Sequence, residues 1–277
     1  MRIRLLGMLI GLVWADAARA QIEIFCQPSH NNFLVGEEVA VRVEVRNNTG
    51  GELVLAGAQR NVRLGFELTT ESGTAVPQRA ALPFTAADII RSGETWIRNI
   101  DLQPFYDLRN SGRLKLHAFL EWEGRGFLSA KKFFNLARGP ELGKLVAAKG
   151  SAAKKVLIKY SLRTVVREEG EILFLCIEDP ESQLRLSAAN LGTAVRLYPP
   201  QLRRDGADHL HVLHQSAPNR FTHSELTETG KLIKQEHFST DYQMPDMQEV
   251  EGHVLVKGRP YLPGEDRRMP LGPDAHR

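Results

Sequence analysis

The chain has 277 residues, with 36 basic residues against 33 acidic and 42% hydrophobic. That is enough apolar content for a substantial core, and too little net charge to argue for nucleic acid or a membrane surface as partner. Its two cysteines cannot make a disulfide framework, and no apolar run has the length of a membrane span.

Residues 1–20 read as a secretory signal peptide. Arg2 and Arg4 precede the apolar run 5–14, and Ala18-Arg-Ala20 puts small residues at the cleavage positions before Gln21. The expected product is exported, whether periplasmic, cell-surface or secreted. Losing Arg2, Arg4, Arg19 and Asp16 would bring it closer to neutrality.

Residues 21–137 predict short strands. Val39, Val41, Val43 and Val45 alternate with Ala40, Arg42 and Glu44, so one face is buried and the other wet. Gly36 precedes this run, and Asn47-Asn-Thr-Gly-Gly51 supplies the turn after it. Segment 52–55 is a further strand. Val62, Leu64, Phe66 and Leu68 repeat the alternation, 77–93 reads as a crossing connection, and 95–102 adds another strand. The clearest strand carries Leu114, Leu116, Ala118, Leu120 and Trp122 on one face, followed by a hairpin loop at Glu123-Gly-Arg-Gly126. Many short strands with regular turns predict a two-sheet sandwich.

Residues 138–154 read as a linker with a short helix. Pro140 suits a first helical position, Gly150 suits the residue after the last, and Leu142, Leu145 and Val146 share a face. A β-rich module is expected over 155–257. Its continuous apolar run 171–177 predicts a strand covered on both faces, with 183–186 and 194–197 as neighbours. Strands 209–215, 220–226 and 231–238 follow around turns at 216–219 and 228–230. Beyond residue 258, Pro260, Pro263, Pro270 and Pro273 among mixed charges predict a disordered tail. The fold class expected is therefore all-β. Cys26 and Cys176 lie in apolar strand contexts in different modules and are expected to be buried, unpaired thiols.

The stretch Phe33-Leu-Val-Gly-Glu-Glu-Val-Ala-Val-Arg-Val-Glu-Val-Arg-Asn47 is similar to the opening strands of bacterial immunoglobulin-like domains. Tyr106-Asp-Leu-Arg-Asn-Ser-Gly-Arg-Leu114 resembles the aromatic corner of such folds, where a Tyr hydroxyl hydrogen-bonds to nearby backbone. This resemblance implies an architecture and no activity. Residues 172–197 and 209–238 share a strand-and-turn pattern offset by about 37 residues, and 253–256 begins like a third copy. The second copy resembles the blade units of β-propellers. Thr227-Glu-Thr-Gly230 lacks the aspartate and tryptophan of the aspartate-box turn, and the module is too short for a closed propeller.

Motifs for chemistry are sparse. The sequence has no Gly-x-Ser-x-Gly elbow, His-Glu-x-x-His, phosphate loop or calcium loop. Glu168-Glu169 and Glu178-Asp179 read as solvated turn charges, because adjacent side chains diverge. Asn47-Asn-Thr49 matches a glycosylation acceptor, of consequence only in a eukaryotic secretory pathway. His209, His211, His214 and His223 fall within one predicted hairpin. With a turn at 216–219, Gln215 pairs with Arg220 and Leu213 with Thr222. His211 then faces Ser224, and His223 lies beside Val212 on the other face. That gives two imidazoles on a face where zinc needs three protein ligands, so no metal and no cofactor is expected. A one-residue slip would bring His223 to the face of His209 and His211. His209, His211 and Ser224 are the candidates for contact with a partner. The function expected is that of an exported, non-catalytic protein binding a protein or a surface glycan. The alternatives are an exported glycan hydrolase with a degenerate blade-like domain, or a sandwich-type inhibitor or chaperone.

Overall fold

The computed structural model describes residues 21–149, 156–182, 184–240 and 243–262. The expected signal segment and residues 263–277 lie outside the described residues. Those described are all-β, in several mainly antiparallel sheets, with no helix among them.

The N-terminal half contains β1 (Ile22–Pro28), β2 (Asn32–Leu34), β3 (Ala40–Asn47), β4 (Leu53–Val54), β5 (Val62–Thr70), β6 (Ile89–Ile90), β7 (Thr95–Asp101), β8 (Gly112–Trp122), β9 (Arg125–Leu128) and β10 (Lys132–Ala137). One sheet runs β1-β3-β7. A second runs β2-β10-β8-β5, with β9 on β8 and β2 parallel to β10, while β4 pairs with β6. The alternation seen in the sequence has its expected cause. Val41, Val43 and Val45 are fully buried, and they share one core with Leu64, Phe66, Leu116 and Leu120 of the other sheet. Each such side chain contributes about 1.5–3 kcal/mol on burial.

Tyr106 is buried, and its hydroxyl donates to the Phe66 carbonyl at 2.9 Å. The acceptor lies on β5, forty residues earlier, rather than in the nearby backbone that the corner resemblance implies. Asn47 is also internal. Its amide donates to the Gly51 and Ile90 carbonyls, both at 2.8 Å, and its Oδ1 accepts from the Thr49 amide. The side chain of the glycosylation-like motif is thus committed inside the fold.

The C-terminal half contains β11 (Glu141–Lys149), β12 (Val156–Arg167), β13 (Gly170–Glu178), β14 (Arg185–Thr193), β15 (Gln201–Arg204), β16 (Leu210–Ala217), β17 (Arg220–Leu226), β18 (Leu232–Ser239), β19 (Asp246–Val250), β20 (His253–Lys257) and β21 (Arg259–Pro260). The helix expected in the 138–154 linker is instead strand β11, antiparallel to β12. So short a helix is marginal without tertiary support. Pairing with β12 satisfies the same backbone groups, and the Glu141 carboxylate adds cross-strand bonds from Lys159 Nζ (2.6 Å) and Arg163 Nη2 (2.9 Å).

Sheet β11-β12-β13-β14 faces sheet β15-β16-β17-β18-β21. Leu173, Leu175 and Ile177 of β13 pack with Tyr160 and Leu162 against Leu210, Val212 and Leu226 of the facing sheet. The other face of β13, Ile172, Phe174 and Cys176, packs with Val165 against Leu34 of β2. The run 171–177 is covered on both sides because one side is the facing sheet and the other is the N-terminal half. Cys26 and Cys176 are buried free thiols, and burial pushes the Cys176 thiol up to about 12.

Three expectations change here. Residues 253–256 begin no third copy; as β20 they fold back on β19, and Met247 and Val254 cover the outer face of the second sheet at Leu213, Phe221 and Phe238. Residues 259–261, expected in the tail, belong to the fold: β21 pairs with β18, and the Tyr261 amide donates to the His237 carbonyl at 2.8 Å. Segment 194–197 is a loop rather than a strand, held to β16 by the Val195 amide, which donates to the Gln215 carbonyl.

Buried cations lock the two halves together. The Arg167 guanidinium reaches both oxygens of Glu37, at 2.5 and 2.7 Å, and the Asn32 carbonyl at 3.2 Å, and it lies over the Phe33 and Phe174 rings. Arg185 donates to the Val35 and Arg138 carbonyls and to Glu178. Gly139 has φ +69°, and a Cβ there would sit 2.5 Å from the Thr164 carbonyl oxygen and 2.7 Å from Leu34. Only glycine fits where the chain crosses between the halves.

Candidate functional site

The hairpin β16–β17 positions the histidines. Its closing pair is Ala217 with Arg220, leaving Pro218-Asn219 as the turn, and Ser216 is an unpaired bulge residue. The Ser216 hydroxyl occupies the bulge by accepting from Thr222 Oγ1 (2.7 Å) and Arg220 Nε (3.2 Å). The extra residue moves the ladder by one from the expected register. Leu213 pairs with His223, Val212 with Ser224 and His211 with Glu225. Side chains alternate faces, so His209, His211 and His223 now share one, and Ser224 stands on the other.

On that shared face the polar groups form a chain. Asp205 Oδ2 is 3.2 Å from His211 Nε2, and His211 Nδ1 is 3.1 Å from His223 Nε2, with the two rings 6° from parallel. His223 Nδ1 then points to Glu236 at 3.7 Å, and His209 Nδ1 meets Glu225 at 2.8 Å. Burial raises the Asp205 pKa, but bonds from the His209 backbone N–H and the His211 ring outweigh it and the carboxyl ends below its usual range. An ionised Asp205 must receive a proton from His211 Nε2, so His211 Nδ1 accepts from His223 Nε2–H. Burial, then the neighbouring His211, pushes the His223 pKa down.

Three imidazoles on one face do not by themselves make a metal centre. Both ring nitrogens of His211 are engaged, by Asp205 and His223, and His209 Nδ1 by Glu225. No group of three metal-ligating side chains is placed to hold an ion among the described residues. The partner-contact candidates fare unevenly. His211 is buried, and Ser224 is fully buried, with Gln235 donating to its hydroxyl at 3.1 Å. Of the three, His209 alone is partly open to solvent.

The opposite face carries His214. It is buried, and burial pushes its pKa down to about 4. Nε2 lies 3.1 Å from the Thr193 carbonyl, which only accepts, so Nε2 holds the proton and Nδ1 is a bare acceptor. Nδ1 has no hydrogen-bond partner among the described residues, and neither has Gln215 Oε1. Leaving such an atom buried and dry costs about 1–3 kcal/mol.

A second feature, missed in the sequence, lies at the junction of the halves. The turn 28–32 after β1 and the turn 166–169 between β12 and β13 border a polar crevice of about 480 Å3. Asn31 Nδ2 donates to Glu168 Oε1 at 3.1 Å, and Asn32 Nδ2 to the Val166 carbonyl at 3.0 Å. His30 sits edge-on to Phe33 with its pKa lowered by burial and then by Arg167. Gln27, Ser29 and Glu169 complete the lining. The two turns are too far apart in the chain for any local pattern to relate them.

Compared with known proteins, the chain matches no family model and no curated protein.

Proposed function

We propose that this chain is an exported, non-catalytic binding protein: an immunoglobulin-like sandwich followed by a smaller antiparallel β module with two blade-like units. Of the two partner classes the sequence suggests, protein or surface glycan, a glycan fits the geometry better. The observation that carries this is the junction crevice, lined by Gln27, Asn31, Asn32, Glu168 and Glu169. Planar amides and carboxylates satisfy paired sugar hydroxyls, and a rim held by the buried Arg167–Glu37 pair needs little ordering on binding. The core shared by the two sheets supports the sandwich reading of the first half.

A glycan hydrolase would need a protonated carboxyl facing a second carboxylate across the bound sugar. Glu37, whose carboxyl is raised by burial, is closed against Arg167 instead of lining the crevice. Non-catalytic recognition is the better account.

The test is retention of the purified chain on immobilised cell-envelope polysaccharides, compared with the double variant Asn31→Ala, Glu168→Ala. The variant is expected to bind roughly tenfold more weakly, the equivalent of losing about one or two hydrogen bonds. Equal retention by the variant, or none by the native chain, would sink the proposal.

A further inference from the structure

The chain leaves β14 at Thr193, loops over the end of β16 as 194–200, and enters the facing sheet as β15. The Val195 amide donates to the Gln215 carbonyl at 2.8 Å and pins this loop to β16. Beneath it is a cavity of about 300 Å3, at the small end of ligand pockets, which run to roughly 1,000 Å3. Its walls are largely apolar, with Leu142 of β11, Leu173 of β13 and the loop residues Leu197 and Tyr198. The last two are 69% and 45% exposed, unusual for large apolar side chains beside a hollow.

Set into this wall are His214 and Gln215, and the buried His214 Nδ1 has no partner among the described residues. We infer that the cavity is a binding site for a small uncharged molecule with an apolar body and a hydroxyl or N–H donor, such as a phenol, whose donor is taken by His214 Nδ1. The geometry argues against the other classes. A lone water is poorly held, since it needs two to four polar partners and most of the wall offers none. An anion would meet the bare lone pair of His214, and the Arg196 guanidinium that lines the cavity is already engaged by Glu171 and Thr164. A cation would be desolvated without a carboxylate in the lining. The apolar molecule would also cover Leu197 and Tyr198. This site is separate from the junction crevice, and neither reading depends on the other.

The experiment titrates the whole chain with 1-naphthol and with its methyl ether, which keeps the rings and loses the donor. Calorimetry gives the affinities, and nitrogen NMR of labelled histidine reports on His214 Nδ1. Naphthol is expected to bind roughly tenfold more tightly than the ether and to shift the Nδ1 resonance. In His214→Phe, which keeps a ring and removes the acceptor, the two should bind alike. Equal affinities in the native chain, or a His214 resonance that stays still up to the solubility limit of naphthol, would overturn the inference. The native-chain readout stands even if the variant fails to fold.

Discussion

At the scale of single residues, what matters most is which polar atoms are satisfied. His211 is bonded at both ring nitrogens, to Asp205 and His223, whereas His214 on the opposite face is half satisfied. This has a consequence for stability. The folded-state pKa of His214 is near 4, against an ordinary value of 6.5. Above pH 6.5 the ring is neutral in both states. As pH falls below 6.5, the unfolded chain takes up a proton that the folded chain refuses, so stability is lost down to about pH 4. A gap of that size amounts to about 3 kcal/mol. Urea unfolding followed from pH 7 to 4 should show a shallower decline in His214→Phe than in the native chain. Parallel declines would mean that the ring is not held neutral.

The elements show how far local signals reach. Strict apolar alternation located β3, β5 and β8 because each has one wet face, and the continuous run over β13 correctly implied cover on both sides. The signals at Pro140 and Gly150 misled, because pairing with β12 outweighs a weak helical preference. The hairpin register was also misread: a bulge is one serine whose role depends on what fills it. Removing that residue tests the point. Deleting Ser216 puts Ala217 directly after Gln215, opposite Arg220 and Phe221, so the ladder becomes regular with the same pairs and His211 and His223 keep their shared face. What is lost is the Ser216 hydroxyl that accepts from Thr222 and Arg220, and the expected cost is about 1–3 kcal/mol. The measurement is the denaturant midpoint, and a much larger loss would show that the bulge, rather than the pairing on either side of it, holds the hairpin.

At the scale of the whole molecule, the halves are joined through β13, Leu34 and the buried cations. Glu37 and Glu178 differ instructively. Burial pushes both carboxyls up, but Glu178 also receives Arg185, Arg163 and Lys159 and ends below its usual range, while Glu37 has one cation, Arg167, with the Leu34 backbone N–H, and stays above it. Glu37→Ala would leave the Arg167 guanidinium buried without its counter-charge, a loss of about 3–5 kcal/mol. Tryptophan fluorescence reports the N-terminal half, since Trp14, Trp96 and Trp122 are the chain's tryptophans, while far-ultraviolet circular dichroism reports both halves. The native chain is expected to show one coincident transition and Glu37→Ala two separated ones. Coincident transitions in the variant would mean that the junction does not depend on this pair.

The sequence alone determined the all-β class, the positions of most strands, the buried state of both thiols and the hairpin around the histidines. Those are consequences of period, turn chemistry and hydrophobicity, which act over a few residues. Tertiary structure decided which faces the histidines occupy, whether 141–149 is helix or strand, the crevice between turns 28–32 and 166–169, and the cavity under 194–200. Each of these depends on contacts between segments distant in the chain or on a single bulge residue, and the free energy of such contacts is written in no local pattern.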